Sequence, residues 1–207
     1  MTSFLLSGLL VVLAATASQA QPTRWLNPPK QVTTTPKGVR VQVAGGTDFW
    51  RVTHYGFIRD NGHFYFQEQT GDFEAKVKVV GQYRDLYDQA GLMIRLDEKN
   101  WIKTGIEYVH GVQNVSAVVT REVSDWSVVP RQDSPAAVWL TLLRKGDYVE
   151  IKYSFDNHDF KMLRLAYFPP TPGRSVQIGL MCAAPDGKGF PVEFEDFTVV
   201  PLAPTPK

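Results

Sequence analysis

"NWIKTGIEYVHG", residues 100–111, alternates without a break. Ile102, Thr104, Ile106 and Tyr108 share one face of an extended strand; Trp101, Lys103, Gly105 and Glu107 share the other. Successive side chains of a strand point to opposite sides, so the two sets are separated in space. The first set is core. The second carries an aromatic, a cation, a glycine and a carboxylate, which is either a solvated sheet face or a site.

The same period of two recurs on both sides of that stretch. Phe73, Ala75, Val77 and Val79 alternate with Glu74, Lys76 and Lys78. Ala90, Leu92, Ile94 and Leu96 alternate with Gln89, Gly91, Met93 and Arg95. Val149, Ile151, Tyr153 and Phe155 alternate with Tyr148, Glu150, Lys152 and Ser154. "VSAVVTRE", "AVWLTLLR", "SVQIGLMCAA" and "FPVEFEDFTVV" supply further strand runs. Turn signals separate them at Asp60-Asn61-Gly62, Asp97-Glu98-Lys99-Asn100, Lys145-Gly146-Asp147, Asp156-Asn157-His158 and Pro185-Asp186-Gly187. The mature chain has no helical pattern of about ten residues or more. Short strands with turns every 8–12 residues or so predict an all-β, antiparallel sandwich or barrel.

Composition bounds the partners. The chain has 207 residues, 43% hydrophobic and 21% charged, enough to bury a core. Its 22 basic and 21 acidic residues leave a net charge of +1, which argues against nucleic acid or an anionic membrane as main partner. Cys182 is alone, so no internal disulfide forms, and it reads as a small core residue. His54, His63, His110 and His158 are scattered without metal-ligand spacing. There is no phosphate loop, and neither a metal nor a cofactor is expected.

At the N-terminus, the apolar run from Leu5 to Ala15 and the small residues of Ser18-Gln19-Ala20 read as a signal peptide over 1–20, cleaved near Ala20. That run is shorter than the roughly 20 apolar residues of a membrane span, so a secreted or periplasmic protein is expected. Residues 21–36, rich in Pro and Thr, read as an extended lead-in, residues 37–201 as the folded domain, and 202–207 as a disordered tail.

If neighbouring strands align, one face gathers Gln89, Met93 and Arg95, then Trp101, Lys103 and Glu107, then Ser116, Val118 and Thr120. A curved sheet would make these a groove. Trp101 would stack on a sugar ring, Gln89 and Glu107 would take hydroxyls, and Lys103 would hold Glu107 ionised. "SDWS" (124–127) reads as a loop whose Asp125 and Trp126 form the rim. The plain alternative is a solvated face with a Lys–Glu pair worth about 0–1 kcal/mol. Glycosidic hydrolysis would need two carboxyl groups about 5–5.5 Å apart for retention or about 6.5–9.5 Å for inversion. Glu193, Glu195 and Asp196 of "VEFEDF" read as a closing strand, which leaves Asp88 and Glu107 as the acid/base candidates of a hydrolase or lyase.

"TDFWRVTHYGF", "DNGHF", "YDQAGLMIRLDEKNWIKTGIEYV", "VVTREVSDWS" and "IGLMCAAPDGKGFPVEFEDF" together resemble the uncharacterised domain family that includes the regulation-of-enolase protein. The resemblance covers about residues 24–200, and its most specific part is 87–108. It implies a concanavalin A-like lectin/glucanase fold: a jelly roll of two curved antiparallel sheets, similar to the C-terminal sandwich of some beta-xylosidases. It brings no catalytic residues with it. The resulting expectation is a secreted, lectin-like module that binds an oligo- or polysaccharide on a concave sheet face without cleaving it. A carboxylate hydrolase or lyase and a protein-interaction module are the alternatives. The expected signal peptide does not fit a partnership with a cytosolic glycolytic enzyme.

Overall fold

The computed structural model describes residues 23–203. The signal peptide expected over 1–20 and the final positions 204–207 lie outside the described residues. The described chain contains strands and no helix. In order these are β1 (Arg24–Leu26), β2 (Gln31–Thr35), β3 (Gly38–Gln42), β4 (Phe49–Arg51), β5 (Ile58–Asp60) and β6 (His63–Gln69). Then come β7 (Phe73–Gly81), β8 (Gln89–Arg95), β9 (Asn100–Val109), β10 (Val112–Arg121) and β11 (Val123–Arg131). β12 (Val138–Lys145), β13 (Tyr148–Ser154), β14 (Lys161–Tyr167), β15 (Val176–Ala183) and β16 (Pro191–Pro201) complete the series.

Two seven-stranded sheets form, ordered β1-β6-β15-β8-β9-β10-β11 and β14-β13-β12-β7-β16-β3-β2, with β4 and β5 as a separate hairpin. The pairings of β8, β9 and β10 are antiparallel, as the alternation predicts. The sheets pack face to face as an antiparallel, concanavalin A-like β-sandwich. Phe73, Ala75, Val77 and Val79 of one sheet meet Ala90, Leu92, Ile94, Ile102 and Ile106 of the other in a single core. Each such large apolar side chain contributes about 1.5–3 kcal/mol when it leaves water.

Three expectations change. The lead-in is part of the sandwich: β1 extends one sheet at β6 and β2 extends the other at β3, so the domain starts at Arg24 rather than at 37. The Thr run of β2 suits this, because β-branched residues fit a pleated edge. At the other end, the Leu202 amide donates to the Asp72 carbonyl at 2.9 Å, which ties the start of the expected tail to the sheet. "SDWS" is strand, not loop: Asp125 pairs with Val119 and Trp126 with Val118. The turn that releases it is Glu122, held left-handed at φ 64°. No Gly, Pro or Asn marks that turn in the sequence.

The β4–β5 hairpin lies on the outer face of the first sheet. There Phe49 and Trp50 bury against Phe64, Phe66, Met93, Trp101, Val118 and Met181, a second core on the side expected to be a groove. Beneath it Gly91 and Gly105 stand opposite each other across β8 and β9. A Cβ at Gly105 would lie 2.0 Å from the Ala90 carbonyl oxygen, so this close backbone approach admits only glycine.

Candidate functional site

The outward row of the first sheet divides in two. At one end the hairpin covers it. Trp101 is 1% exposed, meets Phe49 edge-on at 6.2 Å, and donates its Nε1–H to the Glu98 carbonyl. It cannot stack on a sugar. Arg95 spends its guanidinium on both oxygens of Asp60 in β5, at 2.7 and 2.8 Å. Thr120 shares a hydrogen bond with Ser124 at 2.9 Å, and Ser124 in turn accepts the Arg51 amide. These three residues fasten the hairpin and do not reach a ligand. The sequence did not place the cover, because two three-residue strands carry too few alternations to be read.

At the other end, Gln89, Lys103, Glu107 and Trp126 line a pocket of about 120 Å³. The hairpin and its loop contribute Asp48, Trp50, Tyr55, Phe57 and Arg59; Tyr87, Pro185 and Asp186 complete it. Tyr55 and Phe57 stack at 5.4 Å with 22° between their planes. The hydroxyls of Tyr55 and Tyr87 share a hydrogen bond of 2.7 Å. Burial and that bond push the Tyr55 phenol up to about 12.

Glu107 is buried at the floor. Its Oε2 accepts Trp126 Nε1–H at 2.7 Å and Ser116 Oγ–H at 2.8 Å. Lys103 does not serve it directly. The Lys103 ammonium donates to the Phe49 carbonyl at 2.7 Å and lies 3.6 Å from Asp48 Oδ1. Burial raises the Glu107 carboxyl above its ordinary value, and the nearby Lys103 charge with the two hydrogen bonds offsets this only in part. Lys103 thus acts on Glu107 through its charge at a distance, without the direct contact that the alternation suggested.

Two other expected residues stand elsewhere. Asp125 neighbours Trp126 on β11, and adjacent strand residues point to opposite faces. Its carboxylate pairs with Arg164 of β14 at 3.3 Å instead of lining the rim. Asp88 is buried with Oδ2 accepting the amides of Arg84 and Asp85 at 2.9 and 3.0 Å, which closes a turn ahead of β8. The acid/base pair of Asp88 and Glu107 is not assembled in the pocket.

Trp50, Tyr55, Phe57 and Tyr87 are the residues that strand alternation missed. A signal was present: four aromatics fall within "FWRVTHYGF", residues 49–57, which does not alternate. Val52 and His54, just ahead of Tyr55, hold left-handed backbone (φ 64° and 65°), and Tyr87 is itself left-handed at φ 65°. Each non-glycine residue held there costs about 1–2 kcal/mol. Such strain gathers where surrounding structure over-determines the backbone, as at ligand sites.

Residues 25–202 match the family model described as "Protein of unknown function (DUF1349)". The Regulation of enolase protein 1 of Saccharomyces cerevisiae is 38% identical over 175 residues, covering 84% of this chain and 87% of that protein. A solved structure of a functionally unknown protein from Saccharomyces cerevisiae aligns with a TM-score of 0.82 at 37% identity, over 87% of this chain and 97% of that one. The GH43 BlXynB protein from Bacillus licheniformis aligns with a TM-score of 0.67 at 13% identity, over 87% of this chain and 37% of that one. The carbohydrate binding module CBM66 from Bacillus subtilis aligns with a TM-score of 0.52 at 15% identity, over 85% and 94%. At those two low identities the likeness is one of fold alone.

Proposed function

The chain belongs to the DUF1349 family, and on that premise we propose that it is a secreted, non-catalytic module that seats the end of a glycan in the aromatic-walled pocket. One observation carries the reading. The stacked Tyr55–Phe57 wall faces the same space as the polar floor of Gln89, Lys103 and Glu107. Flat aromatic area with a few fixed polar groups is what a sugar ring, apolar on its faces and hydroxylated at its edge, requires. Walls from the hairpin, Tyr87 and Pro185-Asp186 favour a chain end over an internal run. The sandwich shared with a carbohydrate binding module and a GH43 protein supports this context by analogy of fold. The non-catalytic form rests on Asp88, which stands outside the pocket lining with its Oδ2 holding a backbone turn.

Isothermal titration of the mature protein against a glycan panel tests the proposal. Tyr55 is 42% exposed, so Tyr55→Leu spares the core. It should weaken binding about tenfold, equivalent to about 1.4 kcal/mol. If no glycan binds, or if the variant binds as the parent does, the pocket is not a saccharide site. Mass spectrometry of protein recovered from culture medium tests secretion: the expected N-terminus is near residue 21.

A protein partner is the second reading. Met162, Leu165 and Tyr167 are 57%, 59% and 47% exposed along β14, the edge of the second sheet. Clustered exposed apolar groups mark interaction surfaces. Leu165→Lys would abolish such a complex and leave glycan binding intact.

A further inference from the structure

We infer that the pocket is an aromatic cage for a cation, and that the sugar it takes carries a free, protonated amine. The sugar part of this rests on the saccharide reading; the cage does not. Trp50 and Tyr55 stand at 5.7 Å and 77°, Tyr55 and Tyr87 at 6.3 Å and 77°, and Tyr87 and Trp126 at 6.4 Å and 80°. Four rings that line one cavity, each nearly perpendicular to the next, enclose it from several sides. A platform for a neutral sugar needs only a flat surface. A box of rings surrounds a compact positive group, which is attracted to the negative faces of the π-systems.

The charges lining the cavity agree. Three carboxyl groups do so: Asp48, Glu107 and Asp186. Of the two cations, Lys103 is already matched by Asp48 at 3.6 Å and committed to the Phe49 carbonyl. The other, Arg59, lies 4.5 Å over the Phe57 ring and has no ion-pair partner among the described residues. Its stacking marks that wall as one that accepts a cation. It also makes Arg59 a competitor for the incoming group, with a half-exposed side chain that can withdraw into solvent. Both hydrogen bonds accepted by Glu107 fall on Oε2. Oε1 accepts none among the described residues, which leaves an acceptor at the pocket floor for an ammonium N–H.

Titration of the full-length mature protein at about pH 6, where an amine carries its proton, uses glucosamine, N-acetylglucosamine, glucose and glucuronate. Choline and its uncharged carbon analogue 3,3-dimethylbutanol serve as probes without a sugar ring, followed by tryptophan fluorescence. Glucosamine should bind at least about tenfold more tightly than its neutral analogues, and choline more tightly than dimethylbutanol. Tyr55→Leu should collapse both differences and Arg59→Gln should enlarge them, with thermal melts confirming that each variant is folded. Equal binding of glucose and glucosamine overturns the cage and leaves the saccharide reading standing. A preference for glucuronate that Arg59→Gln abolishes overturns it too. Choline binding without any sugar binding sustains the cage and removes the saccharide reading. Binding by none of the probes removes both.

Discussion

At the scale of single residues, Trp101 and Glu107 share a strand face and have opposite fates. Trp101 is sealed beneath Phe49, whereas Glu107 lines the pocket. Trp101→Ala should therefore act as a core truncation, costing about 3–5 kcal/mol in chemical denaturation, and Trp101→Phe should recover most of that. Loss of ligand binding with unchanged stability would contradict this placement. For Glu107 the sign of the pH effect follows from burial, which raises the carboxyl above its ordinary 4.5. Between 4.5 and the raised folded value, the native state keeps a proton that the unfolded chain has lost. Stability is then fully present below that window and falls as pH rises through it. Glu107→Gln removes the titration. Measured by thermal melts from about pH 4 to 8, wild type should lose stability relative to this variant as pH increases. Comparing the two also cancels Asp88, which burial raises in the same direction.

At the scale of elements, the hairpin decides what the sheet face does. Its strands pair only with each other, and side chains fix it to the sheet: Phe49 and Trp50 by burial, Asp60 through Arg95, and Asp48 through Lys103. Lys103→Met would strand Asp48 as a buried, unmatched carboxylate and should cost about 3–5 kcal/mol. Lys103→Met with Asp48→Asn should cost less than the two single changes added together. Additive effects in denaturant titrations would mean that the pair is not coupled. This is also where reading the sequence succeeded and failed. The long strands were legible because their alternation reports which face is buried: the β8, β9 and β10 phases hold residue for residue. The same rule could not tell that the opposite face is covered as well. A second layer built from Phe49 and Trp50 uses the polar-looking side of β9, and Lys103 and Arg95 look solvated until their partners from the hairpin are known. Gln89, Lys103, Glu107 and Trp126 could be named from the sequence and line the pocket; the ring-bearing loop could not, because irregular chain has no period.

At the scale of the whole molecule, the first twelve strand and linker residues clasp the sandwich. β1 closes one sheet and β2 the other. Trp25 packs on Tyr65 at 4.9 Å, and the Asn27 amide donates to the carbonyls of Asp60 and Gly62 beside the hairpin. Removing residues 1–36 should uncover the edges of β6 and β3. Open sheet edges template association, so size-exclusion chromatography should show loss of the parent species to aggregates. Full retention of that species would mean that the clasp is dispensable. The separate pairing of β4 with β5 has a kinetic consequence. A unit that owns its hydrogen bonds can open without the sandwich opening. Amides of β4 and β5 should then exchange with solvent faster than those of β7 and β12, which lie inside a sheet. A molecule held behind Tyr55 leaves when that unit lifts, so the residence time of the ligand is set by a local unfolding rate as well as by contact strength.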